Sequence, residues 1–270
     1  MAARESESRK GSPKAADLML RARAFGLKPQ SLESLQQSED LYRQVLALEP
    51  NNFSAMVGLA YSVATQAGNF GAQLDESVQE KKRVEGRDLA LKAKALDPDN
   101  PDVYRLIAFY APDREGSRRA LETELSLDPK NPAVYGSLAY WFIREREPKR
   151  AIELLTQAIN LSPKHPGEVT LFWMGYAYFM LGDNDAAIEW LQKSLEGNPG
   201  LDYTIAFLAM AYATKGDDSK ARAMAAELHR LDPNETLTWW RKQLSEKSAA
   251  YKEWFEAKLV PAWREAGLPE

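Results

Sequence analysis

The residue types that most often carry chemistry are scarce in this chain. Cysteine is absent, which excludes disulfides, thiolate zinc sites, iron–sulfur clusters and cysteine nucleophiles. There are two histidines, His165 and His229. His165 sits beside Pro166 in a turn, and His229 lies at a helix end, where a cation favours the negative pole of the dipole. Neither has a second ligand at metal spacing, so no metal site is expected. No Gly-rich phosphate loop, GxSxG or HExxH is present. Carboxylates are plentiful, but none recurs with a partner in an apolar setting, as acid–base chemistry requires. Lys81, Lys82, Arg83 and Arg87 interleave with Glu80 and Glu85; Arg144, Arg146, Lys149 and Arg150 alternate with Glu145 and Glu147. Both runs read as solvated faces. What remains is a set of aromatic side chains, whose chemistry is burial rather than reaction. The expectation is a non-enzymatic chain with no cofactor.

The elements that position those aromatics follow from length and repetition. The chain has 270 residues, 44% hydrophobic and 27% charged, enough to bury a sizeable core. A net charge of −4 makes general nucleic-acid binding a poor expectation. The longest charge-free apolar run, Val169 to Gly182, is too short for a membrane span and suits a buried helix. A proline follows a helical stretch six times, at Pro50, Pro98, Pro129, Pro163, Pro199 and Pro233. The spacings are 48, 31, 34, 36 and 34, and a period near 34 marks a helix–turn–helix array. Proline fits because it stops one helix and starts the next. Small residues recur in phase, as at Gly175, Gly182 and Ala187, then Ala209, Gly216 and Ala221. They let paired helices approach closely.

This pattern resembles the tetratricopeptide repeat (TPR) family from about Asp17 to Pro233, most clearly in the last three units. The resemblance implies an all-α, right-handed superhelical solenoid of about six units. The Pro98 unit carries an insertion around TQAGNFGAQLDESVQEKKRVEGR, and the Pro129 unit is short at APDREGS. The expected organisation is a disordered tail over 1–14, the array over 15–233 and capping helices over 234–270. In the last segment Tyr251, Trp254, Phe255, Leu259 and Trp263 form an amphipathic stripe, and Pro261 kinks or restarts the helix.

In the family, positions 2, 5, 9 and 12 of each first helix line a concave groove. Position nine reads Tyr61, Phe109, Tyr140, Tyr176 and Met210. Phe172 and Phe179 flank Tyr176 on the same stripe, and Tyr203 adds another aromatic at position two. Three readings stay open. The stripe packs between repeats as core; or it lines a groove for an apolar peptide or helix; or the Trp-rich C-terminal helix folds back into that groove. Position five reads Val57, Arg105, Gly136, Phe172 and Ala206, so the family's carboxylate clamp is not apparent and Arg105 alone is placed to meet a carboxylate.

Two segments carry a narrower resemblance. The opening ADLMLRARAFGL…SLQQSEDLYRQVLALEPNN and the ending REAGLPE are similar to the TPR regions of bacterial adenylate/guanylate cyclase-type signalling proteins. The expected function is a protein-interaction scaffold binding a peptide or helix in an aromatic groove. The alternative is the regulatory segment of a cyclase-type or transcriptional signalling protein. The expected partner is a protein or peptide and not nucleic acid, no membrane span is expected, and self-association through terminal helices stays open. The absence of a signal points to the cytoplasm, or to an extracytoplasmic position if the chain is a fragment of a membrane-anchored protein.

Overall fold

The structure, a computed structural model, describes residues 12–26, 31–231, 233, 235–242, 244 and 248–270. Among these residues every regular element is helical, as expected. The chain divides into two compact units, Met1–Pro129 and Lys130–Glu270.

The first unit holds α1 (Pro13–Gly26), α2 (Leu32–Leu48), α3 (Phe53–Asn69), α4 (Glu76–Leu96), α5 (Pro101–Phe109) and α6 (Arg114–Leu127). They pack as the pairs α1/α2, α3/α4 and α5/α6. Of the expected tail, residues 1–11 lie outside the described residues, while Pro13 and Lys14 open α1 and so belong to the first helix pair. The insertion in the Pro98 unit lengthens α4 to 21 residues and adds a short 3₁₀ turn at Gly71–Gln73.

The second unit holds α7 (Pro132–Arg144), α8 (Pro148–Leu161), α9 (Glu168–Leu181), α10 (Asn184–Gly197), α11 (Asp202–Lys215) and α12 (Asp218–Leu231). They form the pairs α7/α8, α9/α10 and α11/α12, followed by closing elements α13 (Leu237–Lys242), α14 (Ala249–Trp254) and α15 (Val260–Glu265). Between α14 and α15 the backbone widens into a π-turn at Phe255–Leu259, where the Val260 amide donates to the Phe255 carbonyl. Pro261 explains it. Its ring has no N–H for the ordinary ladder and crowds the carbonyl four residues back, so the helix slips register instead of breaking.

Local chemistry sets the boundaries. Two residues after Pro50, Pro98 and Pro129 stands an asparagine whose side-chain oxygen accepts a backbone N–H in the next helix. Asn52 accepts from Ala55 (2.9 Å), Asn100 from Asp102 (3.2 Å) and Asn131 from Ala133 (3.0 Å). Within pairs, Gly182 and Gly216 end α9 and α11 at φ 81° and 85°. The aspartate after Gly182 caps the following helix, its carboxylate accepting from the Ala186 amide at 3.1 Å. Between α7 and α8 the same turn position is held by Arg146, at φ 68°. That left-handed geometry costs a non-glycine residue on the order of 1 kcal/mol. Gly175 marks where α9 and α10 touch: a Cβ there would lie 2.6 Å from Leu191 Cγ.

The two charged runs are not uniformly solvated. The Lys82 side chain is only 13% exposed, and its ammonium meets Glu39 at 2.7 Å. Arg43 and Gln66 also bond Glu39, each at 2.8 Å. Burial would raise the Glu39 pKa, but these three donors outweigh it and hold the carboxylate below its ordinary value. Arg146 also turns inward, its Nη2 donating to the Met180 carbonyl at 3.1 Å.

Candidate functional site

The stripe residues meet opposite fates in the two units. In the second, α9 and α11 are apolar around most of their circumference; Thr204 to Ala213 of α11 are all buried. One side of each helix packs on neighbouring pairs. The closing elements cover another. Ser248 anchors them, its hydroxyl donating to the Arg144 carbonyl at 2.9 Å and capping α14 at the Tyr251 amide. The Tyr251 hydroxyl then meets the Tyr176 hydroxyl. Trp254 lies 6.0 Å from Tyr176 and 6.3 Å, edge-on, from Phe179. The Arg146 guanidinium lies 5.2 Å from the Trp254 ring centroid. Phe207 reaches Trp240, which reaches Trp263, extending the aromatic contacts through α13 and α15. The Leu237 amide and the Trp263 indole both donate to the Pro269 carbonyl, at 3.0 and 2.7 Å.

This packing corrects the reading of four candidates. Phe172, Tyr176, Phe179 and Met210 are core residues in this structure; Tyr176 is 2% exposed and Met210 fully buried. The reason is apolar area. Phe255, Leu259 and Trp263 of the closing segment are themselves fully buried, each contributing about 1.5–3 kcal/mol to holding it down. Burial pushes the Tyr176 phenol well above its ordinary pKa, and Tyr251 adds to the shift. Tyr251 is raised by the same burial. Tyr140 and Tyr203 stay half-buried: Tyr140 against Trp173 at 4.7 Å, Tyr203 edge-on to Phe172 at 4.4 Å. The Tyr203 phenol is pushed up to about 12, first by burial and then by the nearby carboxylates Asp202 and Glu168.

In the first unit the stripe is open. Tyr61 and Phe109 are each 52% exposed. Tyr61 lines a cleft of about 380 Å³ whose walls include Phe25, Leu35, Tyr42 and Val57. The Phe109 ring tip rests against Gly68 of α3, two turns beyond Tyr61, and meets Tyr110 edge-on at 5.0 Å. The Tyr110 hydroxyl donates to the Ala60 carbonyl at 2.8 Å, fixing that end of α5 against α3. Arg105 also lines the cleft, but its Nε donates to Glu124 at 3.0 Å. That carboxylate is fully buried, and burial raises its pKa against the pull of Arg105. The residue singled out for a carboxylate partner therefore has one inside the fold. Arg23 and Phe25, which the stripe count does not reach, complete the cleft from α1. Their only sequence signal is an aromatic and an arginine at the end of the loosely matching first helix.

Among the described residues no group of three or more His, Asp or Glu is arranged to hold a metal ion. Among them, too, no helix is long and apolar enough to cross a membrane.

Residues 170–200, which run from α9 through α10, match the family model described as tetratricopeptide repeat. The comparison with curated proteins finds no match. Among solved structures, the fold is similar to that of the APC/C hetero-tetramer Cut9-Hcn1 (TM-score 0.65, 18% identity), over 80% of this chain and 40% of that one. It is similar to the human IFIT1 dimer with m7Gppp-AAAA (0.67, 18%), over 79% and 50%. It is also similar to Pseudomonas aeruginosa pilF (0.60, 15%), over 85% and 96%. This chain thus spans half or less of the first two chains, and at these identities the likeness is one of fold. Nothing in the comparisons supports the association with cyclase-type signalling proteins. One unit of the chain, residues 170–200, thus matches a tetratricopeptide repeat, and the stacked helix pairs share the fold of these solved structures.

Proposed function

We propose that the chain is a protein-interaction scaffold that takes a peptide or helix on the open aromatic face of its first unit, around Tyr61 and Phe109. One observation carries this reading. Tyr176 is covered by the chain's own aromatic closing segment in the second unit, whereas Tyr61, at the same repeat position, is left half-exposed over a cleft in the first. Exposed aromatics bordering a concave apolar wall are a common form of peptide-binding surface. The face offers burial and no reacting pair, which favours a binder over a catalyst. The tetratricopeptide repeat matched at residues 170–200 and the shared helix-pair fold agree with a scaffold.

The test is selection of displayed random dodecamer peptides on the full chain, with Tyr61→Ala/Phe109→Ala as comparison. Both side chains are half-exposed, so truncation should change folding little. Enriched peptides should bind the parent chain and lose binding to the double variant while its helical circular dichroism stays unchanged. Enriched peptides that bind both chains equally would place recognition elsewhere.

A further inference from the structure

We infer that the occupant of the first-unit cleft is an amphipathic helix presenting a large aromatic anchor with an acidic side chain beside it, the acid meeting Arg23. The inference rests on the function proposed above and adds the chemistry of the partner.

Two independent observations carry it. The first is the chain's own precedent. In the second unit, the face built from the same repeat positions is covered by a helix whose anchors are Tyr251, Trp254 and Phe255. Tyr176, at position nine, meets Tyr251 and Trp254; Tyr61, also at position nine, is half-exposed and has no ring contact among the described residues. A cleft of about 380 Å³ walled by Phe25, Val57 and Tyr61 has room for one such anchor.

The second observation is charge. Three charged residues line the cleft: Arg23, Asp102 and Arg105. Asp102 lies 3.7 Å from Arg105, and Arg105 is bonded to Glu124, so these charges are met within the fold. Arg23 is exposed and makes no ion pair among the described residues. It lies close enough to the phenol of Tyr42, on the cleft wall, to interact with it electrostatically. A cation at the rim of an apolar cleft selects a ligand that carries the opposite charge next to its anchor. A basic or neutral anchor helix would leave Arg23 uncompensated.

The probe is a fluorescein-labelled synthetic peptide of residues 248–266, which carries Trp254 between Glu253 and Phe255, with Glu256 next. Its twin has Glu253 and Glu256 changed to lysine and keeps Glu265. Each is titrated by anisotropy against the full parent chain, Arg23→Glu, and Tyr61→Ala/Phe109→Ala. The parent should bind the native peptide about tenfold or more tighter than the twin, and Arg23→Glu should reverse that order. Equal binding of the two peptides that still needs Tyr61 and Phe109 would overturn the acidic partner and leave the aromatic face standing. Binding that survives Tyr61→Ala/Phe109→Ala would overturn the face itself. No binding of either peptide to the parent would overturn the aromatic helix as occupant, while the peptide selection above still tests the face.

Discussion

The hydroxyls of Tyr176 and Tyr251, 75 residues apart in sequence, meet each other inside the aromatic core of the second unit. Tyr176 belongs to a repeat helix and Tyr251 to the closing segment, so this bond ties the lid to the array. Both phenols are deeply buried, so removing one partner strands the other. Tyr176→Phe or Tyr251→Phe alone should cost about 1–3 kcal/mol, whereas the double change should cost less than the two singles combined. Urea unfolding of the four chains measures this, and strict additivity would show that the pair is not coupled.

The same pair predicts a pH dependence. Burial raises the Tyr176 and Tyr251 phenols above the ordinary value of about 10. For a group whose pKa is raised by folding, the contribution is complete below the unfolded value. It is lost as pH rises toward the folded one. Stability should therefore hold up to about pH 10 and fall above it. Tyr176→Phe/Tyr251→Phe should flatten that fall without abolishing it, because Tyr203 is also raised, to about 12. Urea midpoints at neutral and strongly alkaline pH compare the two chains.

Much of the fold was legible because turn chemistry is local. Counting back from position nine places helix starts at Phe53, Pro101, Pro132, Glu168 and Asp202, and α3, α5, α7, α9 and α11 begin there. The fate of the stripe was not legible, and Tyr61 and Tyr176 show why. They have the same type and repeat position, yet one is half-exposed and the other buried. The difference comes from the closing segment. Its spacing shows an apolar face but not the surface that face will meet. Arg146 was missed for a related reason: a charge in a turn reads as solvated until an indole from a distant segment is laid over it.

Arg146 occupies a turn position that glycine holds in the next two pairs. Arg146→Gly would relieve the left-handed strain but lose the Trp254 contact and the bond to Met180. The gain is about 1 kcal/mol and the losses about 1–2.5 kcal/mol together, so a small net destabilisation is expected. Arg146→Ala loses the contacts and keeps the strain. Urea midpoints should rank parent, Arg146→Gly, then Arg146→Ala. A glycine variant less stable than the alanine one would show that strain is not what distinguishes the site.

Two helix glycines should respond oppositely to alanine. At Gly175 the new methyl meets Leu191 and lies 3.0 Å from the Ala187 carbonyl oxygen, so α9 and α10 must separate, at about 1–3 kcal/mol. At Gly136 nothing lies within 4 Å. There alanine supplies only its helix preference, a gain of roughly 0.5–1 kcal/mol. Thermal unfolding of the two single variants should shift in opposite directions.

Arg105 and Glu124 test whether the cleft's charge is structural or available to a partner. Glu124 is fully buried, and one of its oxygens, Oε2, has no hydrogen-bond partner. Arg105→Met would leave that carboxylate without its cation, at about 3–5 kcal/mol if it stays charged. Because burial already raises its pKa and the opposing cation would be gone, Glu124 would take up a proton more readily and recover part of the loss as pH falls. Arg105→Met/Glu124→Leu removes both charges, and replacing a buried pair by apolar groups is often neutral or stabilising. The double variant should therefore unfold near the parent's urea midpoint. It should also keep the parent's preference between the two charge-matched peptides, because Arg23 is untouched. A double variant that folds like the parent but binds both peptides equally would move recognition of the acid from Arg23 to Arg105.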